Sequence, residues 1–238
     1  MSLSPLTLKN YPPSFKDISK ISSYSEFRKK FLASGCSDCP LCDTRTNLVV
    51  DRGNPNSKIL VIGEAPGKDE DKMGQCFIGR AGKMLDKIMA SIGLDTNKDV
   101  LIANVVKCRP PDNRVPARIE VEACRPYLLK QIELLKPKVI IPLGATALKH
   151  VFFPKKDFSI SKAVGSAYRV GELGEQAATL DLAEGGTYCF ALFHPAYMLY
   201  DPRKKVDMFR HVQELRKLLI QEKVLPDTPF VIPEKLPF

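Results

Sequence analysis

Three short apolar runs, KILVIG at 58–63, VLIANVV at 100–106 and KVIIPLG at 138–144, each lead into a segment of helical periodicity. Runs this short, rich in Val and Ile and bounded by Gly or Pro, read as strands buried on both faces. After the first, AGKMLDKIMASIG places Met84, Leu85, Ile88, Met89 and Ile92 at helical spacing; ARIEVEACRPYLLKQIELL follows the second and ATALKHVF the third. Parallel strands need long crossovers, and helical crossovers of one hand cover both faces of the sheet. With TYCFALF as a fourth strand, the alternation predicts an α/β chain, a three-layer α/β/α sandwich around a central, mostly parallel four-stranded sheet. Ligands of such sheets gather at the carboxyl ends of the strands. Those ends are the GEAPG loop, the loop from Asn104 to Pro116, and HPAYML after the fourth strand.

Residues 1–22, rich in Pro, Ser and Lys, read as an irregular arm; 23–222 form one domain, and 223–238 a proline-rich tail. Within the domain, SYSEFRKKFLAS predicts a helix, and Pro126 is expected to bend or restart the helix that contains it. GEAPGKDEDKMGQCFIG reads as one long polar loop, and 155–187 as a surface hairpin or insertion. Lys and Arg number 36 against 27 Asp and Glu, a net charge of +9, which favours a polyanionic partner, nucleic acid first. Seven cysteines without an apolar leader segment point to a reducing compartment, and the chain reads as cytoplasmic and nucleoid-associated.

Four of those cysteines form a pattern: Cys36 and Cys39 as C-x2-C, then Cys108 after 68 residues and Cys124 after a further 15. A C-x2-C step brings two thiolates to one centre from a single turn, and two distant ones complete a four-sulfur shell. Spacing alone leaves zinc and iron–sulfur both open. Cys42 extends the run to C-x2-C-x2-C and makes the ligand set ambiguous, but Cys42 is read as a non-ligand, as are Cys76, in the GQCFIG loop, and Cys189, inside a strand. Gly63, Pro66 and Gly67 shape a turn directly after a strand, but Glu64, Asp69, Glu70 and Asp71 would repel a phosphate cluster. Asn104, at a strand end, offers an amide whose donor and acceptor match one edge of a pyrimidine. Lys107, Arg109 and Arg114 follow it as cations for phosphates, and His194 stands just after the last strand.

Taken in order, the Cys quartet, GEAPGKDED with GQCFIGRAG, NVVKCRPPDNRVP and HPAYML resemble the family 4 uracil-DNA glycosylases, the iron–sulfur branch of their superfamily, from about Cys36 to Leu199. The resemblance implies an enzyme that flips uracil out of single- or double-stranded DNA and hydrolyses its N-glycosidic bond. It implies a 4Fe-4S cluster on Cys36, Cys39, Cys108 and Cys124, in preference to zinc. It implies Glu64 and His194 as catalytic residues and Gly63, Glu64, Ala65, Glu70, Phe77, Asn104 and His194 around the base. Phe77 would stack on the uracil, Asn104 would read N3 and O4, Glu70 would lie near C5, and His194 would bind O2. Arg109, Arg114, Arg203 and Lys204 would meet phosphates, and Leu199 would be the wedge that enters the duplex. Ala65 and Cys76 depart from the residues usual in the family. No basic insertion lies between Cys108 and Cys124, which favours turnover over trapping of the product. The expected state is a monomer, and the terminal EKLPF suggests a sliding-clamp contact. Two other classes compete: a non-catalytic metal-stapled nucleic-acid-binding protein, and an iron–sulfur electron carrier.

Overall fold

The computed structural model describes residue 15 and residues 18–152, 160–170 and 186–228. Most of the N-terminal arm, the stretch 171–185 and the tail with EKLPF lie outside the described residues.

The four expected strands form a parallel core: β2 (Ile59–Gly63), β3 (Leu101–Asn104), β4 (Val139–Pro142) and β6 (Tyr188–Phe190). Two short antiparallel edges that no pattern announced, β1 (Arg52–Gly53) and β5 (Ala167–Arg169), complete, among the described residues, a six-stranded sheet of order β1-β3-β2-β4-β6-β5. In register, Gly63 pairs with Asn104 and Val61 with both Ile102 and Ile141, so β2 lies at the centre. Period-2 alternation splits β2 between two cores, with Leu60 and Ile62 on one face and Ile59 and Val61 on the other. Both faces are dry, which is why the run contains no polar residue.

Helices cover each face. On the first lie α1 (Tyr24–Ala33), α4 (Arg118–Leu135) and α5 (Gly144–Phe152); their buried Phe27, Phe31, Tyr127, Leu128, Leu148 and Val151 belong to one cluster. On the second lie α3 (Arg80–Ala90) and the C-terminal α8 (Lys204–Gln221), which bury Leu85, Ile88, Met208 and Leu215. The intervening short helices are α2 (Lys68–Met73), α6 (Ile160–Ala163) and α7 (Tyr197–Tyr200).

Two expectations are corrected. The polar segment after β2 contains a helical turn, α2, closed by Gly74 in the left-handed region. And α4 does not restart at Pro126 but runs as one element through it. A mid-helix proline costs about 3 kcal/mol or more, but residues on both sides of it, Val121 and Cys124 before, Tyr127, Leu128 and Ile132 after, are buried against the same core, and this packing holds the helix together. Among the described residues no helix is long and apolar enough to cross a membrane.

Candidate active site and cysteine cavity

The ring of Phe31 on α1 stacks on Tyr127 of α4 at 4.1 Å between centroids, so α1 is docked along α4. The chain leaves α1 at Ser34 and turns at Gly35, which delivers Cys36 and Cys39 beside Cys124 on α4. Cys108 arrives from the loop after β3. The four cysteines line one small cavity with Arg45, Leu48, Val106 and Lys107. Cys124 projects from α4, within the stretch whose periodicity predicts a helix.

Burial pushes the thiols of Cys39 up to about 12 and Cys108 up to about 11, and it raises Cys124 further, because a thiolate is costly in an apolar cavity. Two N–H donors already point at sulfur: the Lys107 amide reaches Cys124 Sγ at 3.3 Å, and Arg45 Nη1 reaches Cys108 Sγ at 3.1 Å. Arg45 also donates to the carbonyls of Gly35 and Cys36 and so ties the two halves of the quartet together. Among the described residues no three His, Cys, Asp or Glu side chains are arranged to hold a single metal ion. An all-thiol set with N–H donors aimed at sulfur fits a cofactor bound through thiolates. Cys42 and Cys76 lie outside this cavity: Cys42 Sγ donates to Asp43 at 3.3 Å, and Cys76 is buried beside Asn104.

At the carboxyl ends of β2 and β3 two adjoining cavities, of about 360 and 320 Å³, share Ala65, Gly67, Asn113, His194 and Ala196. Together they form one cleft that contains Glu64 and Thr146 at one end and Glu70, Phe77, Arg80 and Asn104 at the other. The parallel ladder explains the meeting: Gly63 and Asn104 are register partners, and the Val106 amide donates to the Glu64 carbonyl at 3.2 Å. Gly63 has no room for a side chain, since a Cβ there would stand 2.5 Å from both Asn104 Oδ1 and the Phe77 ring. The absence of that one carbon brings the amide and the ring together.

Asn104 is buried, and its Oδ1 has no hydrogen-bond partner among the described residues. Its Nδ2 lies 3.6 Å from Cys76 Sγ, which turns the oxygen the other way. Unsatisfied buried acceptors are rare in folded proteins because each costs desolvation, and one in a cleft marks a place for a donor from a ligand. Phe77 faces the His194 ring with centroids 5.8 Å apart. His194 Nδ1 accepts the Ala196 amide at 3.2 Å, which leaves the proton of the neutral ring on Nε2. Burial pushes this imidazole down to about 4, against a smaller upward pull from Glu70, so at neutral pH it is an uncharged donor. Glu70 Oε1 accepts the amides of Ile78 at 3.0 Å and Gly79 at 2.8 Å and so shapes the loop that bears Phe77.

The basic residues divide. Lys107, expected on a phosphate, is fully buried, and its ammonium donates to the Asn104 carbonyl at 2.7 Å and to Gln131. Arg114 pairs with both oxygens of buried Glu120, and Arg109 donates to the Asn113 side chain at 2.8 Å. Arg203 is exposed and pairs with Asp201, while Lys204 lies 3.4 Å from Asp207. Leu199 packs against the second core, and the residue most open to solvent on α7 is Tyr200, at 86%. Asn113, which lines both cavities, was missed because an Asn after Asp112 in a proline-rich loop reads as a turn former.

Residues 50–219 match the model of the uracil DNA glycosylase superfamily. The chain belongs to that superfamily. A type-4 uracil-DNA glycosylase of Archaeoglobus fulgidus is 40% identical over 185 residues, covering 76% of this chain and 87% of the relative. One of Thermotoga maritima is 40% identical over 187 residues, covering 79% and 85%. A type-5 uracil-DNA glycosylase of Pyrobaculum aerophilum is more distant, 28% identical over 158 residues. The superfamily segment begins at Val50, so Cys36, Cys39 and Arg45 precede it, while the whole cleft lies inside.

Proposed function

We propose that this family 4 member is a DNA glycosylase that flips uracil out of DNA and hydrolyses the bond between its N1 and the deoxyribose, and the observation that carries the reading is the partnerless Oδ1 of Asn104. In uracil, N3 donates and O4 accepts. With its oxygen turned into the cleft, Asn104 takes the N3 proton on Oδ1 and offers Nδ2 to O4. Cytosine presents the reverse pattern at both atoms and is rejected. Phe77 supplies the stacking face, which repays part of the few kcal/mol lost when a base leaves the duplex.

The bond that breaks is C1′–N1, and its electron pair leaves with the base. Negative charge then spreads to O2, where His194 donates its Nε2 proton in a hydrogen bond; a neutral donor suffices because the departing base is an anion. The sugar becomes cationic, and Glu64, across the same cleft, stabilises it and orients the water whose oxygen bonds to C1′. A water proton passes to solvent or to the uracil anion, and the products are uracil and an abasic site. Gly63 and Ala65 line the water's approach. Glu70 sets the loop of Phe77 and narrows the C5 side.

Cys36, Cys39, Cys108 and Cys124 would hold a 4Fe-4S cluster, which when bound supplies a cross-link rather than a redox step. The four thiols line one cavity, and among the described residues no three ligand side chains are placed to hold a single ion, which suits a polynuclear cluster better than one zinc ion. Arg114 lines the Glu64 end of the cleft and Arg109, Arg203 and Lys204 stand outside it; all four serve phosphates, and Leu199 on α7 is the wedge, with exposed Tyr197 and Tyr200 beside it. A protein that only bound nucleic acid would leave the Asn104 acceptor and the His194 donor without a task. The test is release of uracil from a uracil-containing single-stranded oligonucleotide, scored by alkaline cleavage. Cleavage at the uracil position is expected, and no product at stoichiometric protein would sink the reading.

A further inference from the structure

Phe77 is a strained residue. Its φ of +51° lies in the left-handed region, which an aromatic side chain with its Cβ seldom adopts. Something must hold it there. Glu70 holds the two amides that follow, those of Ile78 and Gly79, but it leaves the Phe77 carbonyl to other donors. That carbonyl takes Nη1 of Arg52 at 2.8 Å. Arg52 is buried on β1, and its other terminal nitrogen is paired with Asp86 of α3, which in turn accepts the Thr96 hydroxyl at 2.7 Å. The Phe77 carbonyl is also wedged against α3 at Gly82, where a Cβ would stand 1.7 Å from it.

We propose that Arg52, aimed by Asp86, is a positioning residue for base recognition: by clamping the Phe77 carbonyl it keeps the strained turn in place and sets the ring in the cleft beside Asn104 and His194. The proposal rests on the uracil-binding reading of that cleft. It gives the edge strand β1 a task. Arg52 and Gly53 pair with Ile102 and Leu101, so the clamp is anchored to the same β3 that delivers Asn104. Ring and amide are thereby referenced to one strand. A ring free to leave its place would stack poorly on a flipped base, and misplacement on the order of 1 Å costs up to about 100-fold in rate.

The experiment compares wild type with Arg52→Met, which keeps the stem and removes the donors, and Arg52→Lys, which keeps one donor. Four readouts are taken: inhibition by free uracil, single-turnover excision from a uracil oligonucleotide, affinity for uracil-free DNA, and the ¹⁹F spectrum of 4-fluorophenylalanine placed at position 77. Arg52→Met is expected to weaken uracil inhibition and slow excision by about tenfold or more, to split or broaden the ¹⁹F line, and to leave affinity for uracil-free DNA unchanged; Arg52→Lys recovers part of each loss. Wild-type uracil inhibition with an unshifted ¹⁹F line overturns the proposal, and so does a loss of DNA affinity in proportion to the rate. Should Arg52→Met fail to fold, Asp86→Ala at its 40% exposed position decides. There, losses of the same sign but smaller size are expected, and wild-type behaviour overturns the clamp. A wild type that excises no uracil refutes the functional reading, and the ¹⁹F comparison still decides whether Arg52 sets the ring.

Discussion

In the cleft above β2 and β3 a buried amide oxygen of Asn104 has no partner, whereas in the cysteine cavity the sulfurs of Cys108 and Cys124 each receive an N–H donor from the protein. The two sites lie on either side of one loop, joined by Lys107, whose amide reaches Cys124 and whose ammonium reaches the Asn104 carbonyl. Their chemistry differs in what it demands of a ligand. A cleft with unsatisfied groups suits something that arrives and leaves, because the missing partner is restored only while the ligand stays. A cavity with thiols raised by burial and donors already fixed suits a resident group that replaces the thiol protons once. On the proposed reading, scaffold and reaction centre are distinct, though in contact.

That division makes graded predictions. The largest effect belongs to the scaffold: Cys108→Ser should lower the melting temperature by about 10 °C or more, as the loss of ~4 kcal/mol would in a chain of this size, with matched loss of iron and visible absorbance. Full iron content with an unchanged melt would merge the two regions into one account and end this one. Next comes His194→Ala, which should cut single-turnover excision by about 100-fold, the scale of one oxyanion donor, and leave the melt nearly unmoved. An unchanged rate would remove His194 from the mechanism. Asn104→Asp should reduce the preference for uracil over cytosine by about tenfold, within the range for one paired base edge, measured as a ratio of single-turnover rates on matched oligonucleotides.

A titration is the remaining prediction. His194 is shifted from 6.5 to about 4, so its neutral form is favoured in the fold. As pH falls, the unfolded chain takes up this proton first, so the His194 contribution weakens stability between about pH 6.5 and 4 and levels off below. An imidazole NMR titration should find the midpoint near 4, and a midpoint near 6.5 would mean the ring is solvated and the cleft open.

Much of this was legible in the sequence for physical reasons. Strands dry on both faces must be continuously apolar, so β2, β3 and β4 were readable, and Gly63, Glu64, Asn104 and His194 fell at or just after strand ends, where such sheets bind ligands, whereas Phe77, between α2 and α3, was reached only through the resemblance. The edges β1 and β5 were not, because two or three residues carry no period. Lys107 was misread because a lysine next to Arg109 and two prolines looks solvated, while its place is fixed by the turn that presents Cys108. Arg52 and Arg45 gave no signal: each acts on a carbonyl or sulfur 25 to 63 residues away, and sequence displays only near neighbours.

On the proposed reading, the partnerless Oδ1 of Asn104 accepts a hydrogen bond from N3–H of uracil. It is tested most directly by single-turnover excision from two oligonucleotides that differ only in deoxyuridine or N3-methyldeoxyuridine at one position. Rapid loss of uracil and little or no loss of the methylated base, which has no N3–H to donate, is expected; equal rates on the two would remove Asn104 from base recognition.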